Sequence, residues 1–462
     1  MAMVDLNGKR VLVIGLARTG VATSLFCVRH VARVMAVDTR PESELAEAAA
    51  KLRAAGVALH LGGYAEEILA GQDLIIPSPG VPADAEILKA AHAKNISIWS
   101  EIELADRFLS GRLIGITGSN GKTTTTSLVE HILKNSGFST LLAGNIGTPL
   151  IDVVEKTTDQ TITVAELSSF QLELIETFRP NISVFLNLTP DHLDRHGSLK
   201  AYAAAKARIF EKQTTTDFAV LNADDSASTP YAPTKPKVFW FSRKQRVAQG
   251  AFLRGEEIVF RREGEEEIIL TKSDIPLPGA HNLENVLAAV AATRLAGAQP
   301  AQIAKAIRSF AGVEHRLEFV AALSGVRYYN DSKATNVDAT LKALDAFPGR
   351  ILIILGGKDK GSDYSVLQGP LREKAILALL IGAAAQKIES QIGGSVAIER
   401  AGTLERAVEI ASHAAHSGDI VLLAPACASF DQFENYEHRG RVFKQLVHEL
   451  ANHTAHTASG KR

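Results

Sequence analysis

The run Gly115-Ile116-Thr117-Gly118-Ser119-Asn120-Gly121-Lys122-Thr123-Thr124 joins a short apolar stretch to a helix-forming one. A helix N-terminus offers backbone N–H groups and the positive end of its dipole, which suits phosphate. Gly118 and Gly121 let the chain wrap closely around phosphate oxygens. Lys122 supplies a point charge for the β and γ phosphates of a nucleotide, and Thr123 a hydroxyl for Mg²⁺. The standard phosphate loop has one more glycine five residues before the second, where this chain has Ile116. The plain alternative is a glycine turn that only caps a helix.

Other side chains of the right type recur further along. Glu166 in ELSSFQLE ends an apolar run, and the C-terminal end of a strand is where open α/β sheets bind ligands. The same Glu could simply cap the next helix. His192 in TPDHLDRH follows another apolar run; it could ligate metal, orient phosphate or be polar surface. Lys206 in YAAAKARIF reads from its surroundings as a surface lysine on a helix. The last third carries EHR (His315, Arg316), NDSKATN (Asp331, Lys333, Thr335, Asn336), GGKDK (Lys360) and PACASFDQFENY (Ser429, Phe430, Tyr436). Two lysines, a threonine and an arginine beside glycine-rich turns suit anions, although solvated loops would look the same. Near the N-terminus, GLARTG followed by Asp38 looks like a dinucleotide fingerprint, with Ala17 crowding the second glycine position.

These residues need elements to place them. Lys9–Ile14, Arg33–Val37, Asp73–Pro77, Leu113–Thr117, Thr161–Ala165, Ile182–Asn187, Arg350–Leu355 and Asp419–Leu423 read as buried strands. Val21–His30, Thr123–Lys134, Asn282–Leu295 and Leu404–His413 read as helices. Alternation of the two predicts parallel sheets covered by helices. Lys235–Asp274 is polar and short-stranded, which predicts a small antiparallel insertion. The polar tail 452–462 is expected to be disordered.

The 462 residues carry a formal net charge of -1 and no long basic run, which argues against nucleic acid or an anionic membrane as partner. No apolar run reaches the ~20 residues of a membrane span. Two cysteines far apart point to a reducing compartment.

In order along the chain stand GLARTG, DTR, SPG, GSNGKTTT, GNIG, ELSSFQLE, TPDHLDRH, AAAKARIF, NADD, GAHNLEN, EHRLE, NDSKATN, GGKDK and PACASFDQFENYEHRG. This series, covering about residues 8 to 450, resembles the Mur ligases, and among them the members that add D-glutamate. The resemblance implies an α/β chain of three domains. They are a Rossmann-like UDP-sugar domain (1–102), a central P-loop ATPase-like domain (103–311) and a Rossmann-like amino-acid domain (312–462). It implies a cytoplasmic enzyme, acting as a monomer on small molecules only. Such an enzyme joins D-glutamate to UDP-N-acetylmuramoyl-L-alanine through an acyl phosphate, with ATP and two Mg²⁺ ions, for cell-wall synthesis.

The implied roles follow residue by residue. Gly118, Ser119, Asn120, Gly121, Lys122, Thr123, Thr124, Asn282, Arg316 and Asp331 bind ATP. Thr123, Glu166, His192 and a carbamylated Lys206 hold the metal, and Lys333 serves the γ-phosphate and the incoming carboxylate. Arg18 and Thr19 face the diphosphate, Asp38, Thr39 and Arg40 the uracil, and Gly80 and Asn145 complete that site. Thr335, Lys360, Ser429, Phe430 and Tyr436 hold D-glutamate; the family more often has Leu and Phe at the last two positions. The implied site is divided between the second and third domains, so closure is expected. DNPR, the motif of the diaminopimelate-adding members, is absent. Two other readings stand beside this one: a nucleotide-driven switch, and an NAD-dependent oxidoreductase built on residues 8–40.

Overall fold

The structure is a computed structural model that describes residues 4–459. It forms two compact units, one running to Asp274 and including Leu283–Arg308, the other made of Ile275–Asn282 and the chain from Ser309 onward. Two sheets lie in the first unit and one in the second.

The first sheet contains β1 (Arg10–Ile14), β2 (Arg33–Asp38), β3 (Ala58–Leu61), β4 (Leu74–Pro77) and β5 (Ser97–Ile98) in the order β3-β2-β1-β4-β5. All four pairings are parallel. Val11, Leu12, Val13 and Ile14 are fully buried, the continuous apolar run expected of a strand covered on both faces. The order reverses between β1 and β4, which opens a crevice at their C-terminal ends. The helix Arg18–Arg29 begins three residues earlier than the sequence suggested, so Arg18 and Thr19 lie in its first turn. It packs tightly because residue 20 is glycine: a Cβ there would come within 1.8 Å of the Gly15 carbonyl.

The second sheet has β6 (Arg112–Thr117), β7 (Ser139–Gly144), β8 (Thr161–Glu166), β9 (Ile182–Phe185), β10 (Phe218–Asn222), β11 (Lys237–Ser242), β12 (Gly250–Arg254), β13 (Glu257–Arg262) and β14 (Glu265–Thr271). Their order is β14-β13-β12-β11-β10-β9-β6-β8-β7. The segment expected to form a small antiparallel insertion does hold antiparallel strands, but they continue this sheet. β11 pairs in parallel with both β10 and β12, and only the β12-β13 and β13-β14 pairs are antiparallel. The buried Phe239 and Phe241 explain the difference, since they require a covered strand rather than an exposed hairpin.

The third sheet joins β15 (Glu318–Leu323), β16 (Val326–Asn330), β17 (Ile351–Gly356), β18 (Ala375–Ile381), β19 (Ile398–Gly402) and β20 (Ile420–Leu423) in the order β15-β16-β20-β17-β18-β19. Only the β15-β16 pair is antiparallel. Among the described residues no helix is long and apolar enough to cross a membrane. The final helix, Tyr436–Ser459, runs through most of the tail expected to be disordered from residue 452. Residues 460–462 lie outside the described chain.

Candidate active site

The glycine turn leaves β6 and enters the helix Lys122–Asn135, with Gly121 as its N-cap at φ 82°. A side chain at Gly121 would meet Asn285 Oδ1 at 2.2 Å, so glycine is required there for space and for backbone angle alike. The neighbouring strand fixes the turn. Ser119 N–H donates to the Asn187 carbonyl (3.0 Å) and Asn120 N–H to Asn187 Oδ1 (2.9 Å). Ser119 Oγ donates to the Thr189 carbonyl at 2.9 Å. Lys122 folds over its own loop and donates to the carbonyls of Gly118 (2.8 Å) and Ser119 (2.9 Å).

Lys206 reaches the same place from another helix, Leu199–Ala207. Its Nζ donates to the Gly118 carbonyl at 2.9 Å and lies 4.4 Å from the centre of the Tyr202 ring. Far from the surface position its neighbours suggest, Lys206 is only 1% exposed. Two ammonium groups on one carbonyl oxygen repel each other, and the buried one yields. Burial first, then the Lys122 charge, push Lys206 down to about 6, against the pull of Asp191 and Glu166. Burial thus favours the neutral amine of Lys206 far more than that of an ordinary lysine.

Glu166 is the last residue of β8 and is 2% exposed. Thr123 Oγ1 donates to its Oε2 and Asn145 Nδ2 to its Oε1, both at 2.8 Å. The capping alternative falls to a neighbour, since Ser168 caps the next helix with Gln171 in a capping box. A carboxylate and a hydroxyl are hard oxygen donors that fit Mg²⁺. His192 stands at the edge of this corner in a left-handed conformation (φ 51°). Its ring packs 4.9 Å from Phe170 and 6.4 Å from Tyr202.

In the crevice of the first sheet, Asp38 is engaged from three sides. Leu16 N–H donates to it at 2.7 Å, Arg40 N–H at 2.9 Å, and the Arg40 guanidinium at 2.8 and 3.0 Å. Burial alone would raise its pKa, but the Arg40 side chain and these N–H donors outweigh it and hold the carboxyl at about 2. Arg18 donates to the Gly147 carbonyl, two residues from Asn145, so the turn after β1 meets the loop after β7. Thr39 and Gly80 are exposed beside this crevice.

The second unit gathers its own polar groups. Lys333 Nζ lies 3.8 Å from the centre of the Tyr436 ring. Asp331 is buried, accepts from Leu317 N–H at 3.3 Å, and is pushed up to about 7 by that burial. Arg316 sits between two left-handed residues, His315 (φ 64°) and Leu317 (φ 41°), a strained turn of the kind found where a side chain must be aimed. The GGKDK and PACAS segments pair through Lys358 and Ala428 (2.8 and 3.2 Å). Asp359 braces the turn by accepting from Lys387 and from the Tyr364 hydroxyl, both at 2.8 Å, while Lys360 stays exposed. Ser429 is buried, Thr335 half-buried and Phe430 65% exposed. Asn282 donates to the Pro278 carbonyl at 2.7 Å. Glu314, His315 and Glu318 offer ligand atoms within 4.8 Å of one another, but Lys444 bridges the two acids at 2.9 and 2.7 Å and supplies the cation itself.

A family model of the Mur ligase MurD-like N-terminal domain matches residues 9–100. The Mur ligase middle domain matches 116–293, and the Mur ligase glutamate ligase domain 315–427. Two bacterial proteins named UDP-N-acetylmuramoylalanine--D-glutamate ligase are close relatives. That of Koribacter versatilis is 52% identical over 448 residues, covering 97% of this chain and 99% of its own. That of Acidobacterium capsulatum is 52% identical over 446 residues, covering 96% and 97%.

The chain belongs to the Mur ligase family. Its fold agrees with a solved MurF ligase from Thermotoga maritima in complex with ADP, at TM-score 0.59 and 16% identity over 97% of this chain and 100% of that one. Several residues around the sites of this Mur ligase escaped the sequence reading. Asn285 accepts from Thr125 Oγ1 at 3.2 Å beside Gly121. Its spacing from Asn282, one helical turn, was the available signal. Tyr202 also lies one turn from its partner Lys206. Arg439 is fully buried and ties Ser332 (3.0 and 2.8 Å) to the Cys427 carbonyl (3.2 Å), joining NDSK to PACAS. Nothing local marks it.

Proposed function

We propose that this Mur ligase spends ATP to join D-glutamate to UDP-N-acetylmuramoyl-L-alanine in the cytoplasm. The observation that carries the reading is the convergence of Lys122 and Lys206 on the Gly118 carbonyl, in the loop whose Thr123 hydroxyl is bonded to Glu166. The substrate carboxylate is a poor electrophile. Taking the γ-phosphoryl group of ATP turns it into an acyl phosphate and releases ADP. The amine of D-glutamate attacks the acyl carbon, the tetrahedral intermediate collapses, phosphate leaves and the amide remains.

Lys122 neutralises charge that spreads over the transferring oxygens. Thr123, Glu166 and a carbamate on Lys206 would hold Mg²⁺, with His192 beside them; the ion supplies Lewis-acid stabilisation of the phosphoryl group. Asn145 orients Glu166 by occupying its second oxygen. In the second unit, Lys333, Arg316 and Asp331 are assigned to ATP, and Lys360, Thr335, Ser429, Phe430 and Tyr436 to D-glutamate. A switch that only binds nucleotide has no use for this second cationic set.

The test is a panel of amino acids offered with UDP-N-acetylmuramoyl-L-alanine and ATP, scored by phosphate release. D-Glutamate alone should support turnover, with L-glutamate and D-aspartate close to background. Release that ignores the amino acid would overturn the ligase reading.

Separate sites for the two nucleotides give a second expectation. Asp38→Ala removes charge-assisted hydrogen bonds worth about 1.5–3 kcal/mol. It should raise KM for the UDP-sugar at least about tenfold and leave KM for ATP within about twofold. Initial rates against each substrate check this, and equal effects on both would contradict the assignment of Asp38.

A further inference from the structure

Arg195 lies three residues beyond His192, in the single helical turn Leu193–His196, and its side chain crosses to the first sheet's domain. Its Nη1 donates to the carbonyls of Pro79 (3.1 Å) and Gly80 (3.3 Å). Its Nη2 donates to the Val81 carbonyl (3.0 Å) and to Glu173 Oε2 (2.6 Å). One guanidinium thus gathers three consecutive carbonyls of the loop after β4. On its own side it is anchored by Glu173 and by the Phe170 ring, 4.3 Å from Cζ. The same ring packs against His192. Arg195 and Glu173 side chains are each only 14% exposed, so this pair is not a solvated surface bridge. A lysine could not reproduce the fork.

The loop's geometry gives the contact a consequence. The described chain has no cis peptide bond. In a trans peptide, N–H points opposite to the preceding carbonyl. With the Pro79 and Gly80 carbonyls drawn to Arg195, the N–H groups of Gly80 and Val81 face away from it. That of Val81 turns back to the Ser78 carbonyl at 2.9 Å. The Gly80 N–H is polarised by the cation behind its peptide, which makes it a better donor to an anion. Neither strain nor packing calls for glycine at position 80, because nothing lies within 4 Å of where its Cβ would be. That open space suits close approach of a ligand to the backbone.

We propose that Arg195 is a positioning residue that sets the Pro79–Val81 loop, and with it the sugar nucleotide, against the His192 turn. The proposal rests on the reading of Gly80 as part of the UDP-sugar site. In the same phosphate-release assay, Arg195→Ala should raise KM for the UDP-sugar at least about tenfold and leave KM for ATP within about twofold. Arg195→Lys should fall between, and guanidinium ion added to Arg195→Ala should recover part of the loss. Calorimetric titration with UDP alone separates this idea from the ligase reading. A weaker UDP affinity in Arg195→Ala supports the positioning role even if the amino-acid panel fails. Unchanged UDP affinity overturns it while the ligase reading stands. A parallel rise in both KM values with a lowered Tm means a merely structural residue and also overturns it. Should Arg195→Ala not fold, Glu173→Gln, which loosens the anchor and keeps the fork, carries the test. It should weaken UDP binding in the same direction, and an unchanged affinity refutes the proposal.

Discussion

Lys122→Ala is expected to lower phosphate release at least about a thousandfold, the scale on which a cation at a transferring phosphoryl group acts. The unfolding temperature should move by no more than a few degrees. The loop does not depend on Lys122 for its shape, because Asn187 and Thr189 hold Ser119 and Asn120 through backbone and side-chain bonds. What the substitution removes is the charge that Lys122 carries over the Gly118 and Ser119 carbonyls. Phosphate release and thermal unfolding, measured on one preparation, separate chemistry from stability. Near-normal turnover would take the glycine turn out of the mechanism and return it to the role of a helix cap.

Lys206→Ala should cost about a hundredfold or more. It should regain part of that in formate or acetate, whose carboxylate can stand where a carbamate would. Carbamate formation joins the neutral amine to CO₂ and releases one proton, so it needs an unprotonated lysine. Burial and the Lys122 charge depress the Lys206 pKa to about 6, so the amine is neutral and reactive above that value. Lowering the pH through 6 protonates it. Activity of the unsubstituted enzyme should then fall below pH 6, and at pH 7.5 it should decline in CO₂-depleted buffer and return with bicarbonate. Lys206→Arg should be inactive and not rescued by bicarbonate, since an arginine stays charged. Full activity in Lys206→Ala would remove the carbamate from the reading.

Legibility in the sequence differs from residue to residue. The strands around Val11–Ile14, Leu352–Leu355 and Ile420–Leu423 were legible because a strand covered on both faces needs an unbroken apolar run. The extent of β11 and β12 was not, because their polar ends masked buried centres, Phe239 and Phe241 in β11 and Ala251 and Phe252 in β12. Phe430 would be expected inside from its aromatic type, yet it lies 65% exposed, because exposure is settled by what the rest of the chain leaves uncovered.

The glycine turn with its lysine, the alternation of strand and helix, and the order of motifs that marks a Mur ligase are all legible in the residues alone. Each turn, strand, helix and motif in that series is written within a short stretch of neighbouring residues, where backbone angles, periodicity and local polarity act directly. Folding alone brings Lys206 against Gly118, 88 residues away in sequence, where burial lowers its pKa instead of leaving it a surface cation. It likewise decided that Arg195 grips a loop more than a hundred residues earlier, and that Arg439 joins two loops of the second unit. Charge state and reach depend on desolvation and on partners brought close by folding, and neither is a property of a residue's immediate neighbours in the chain.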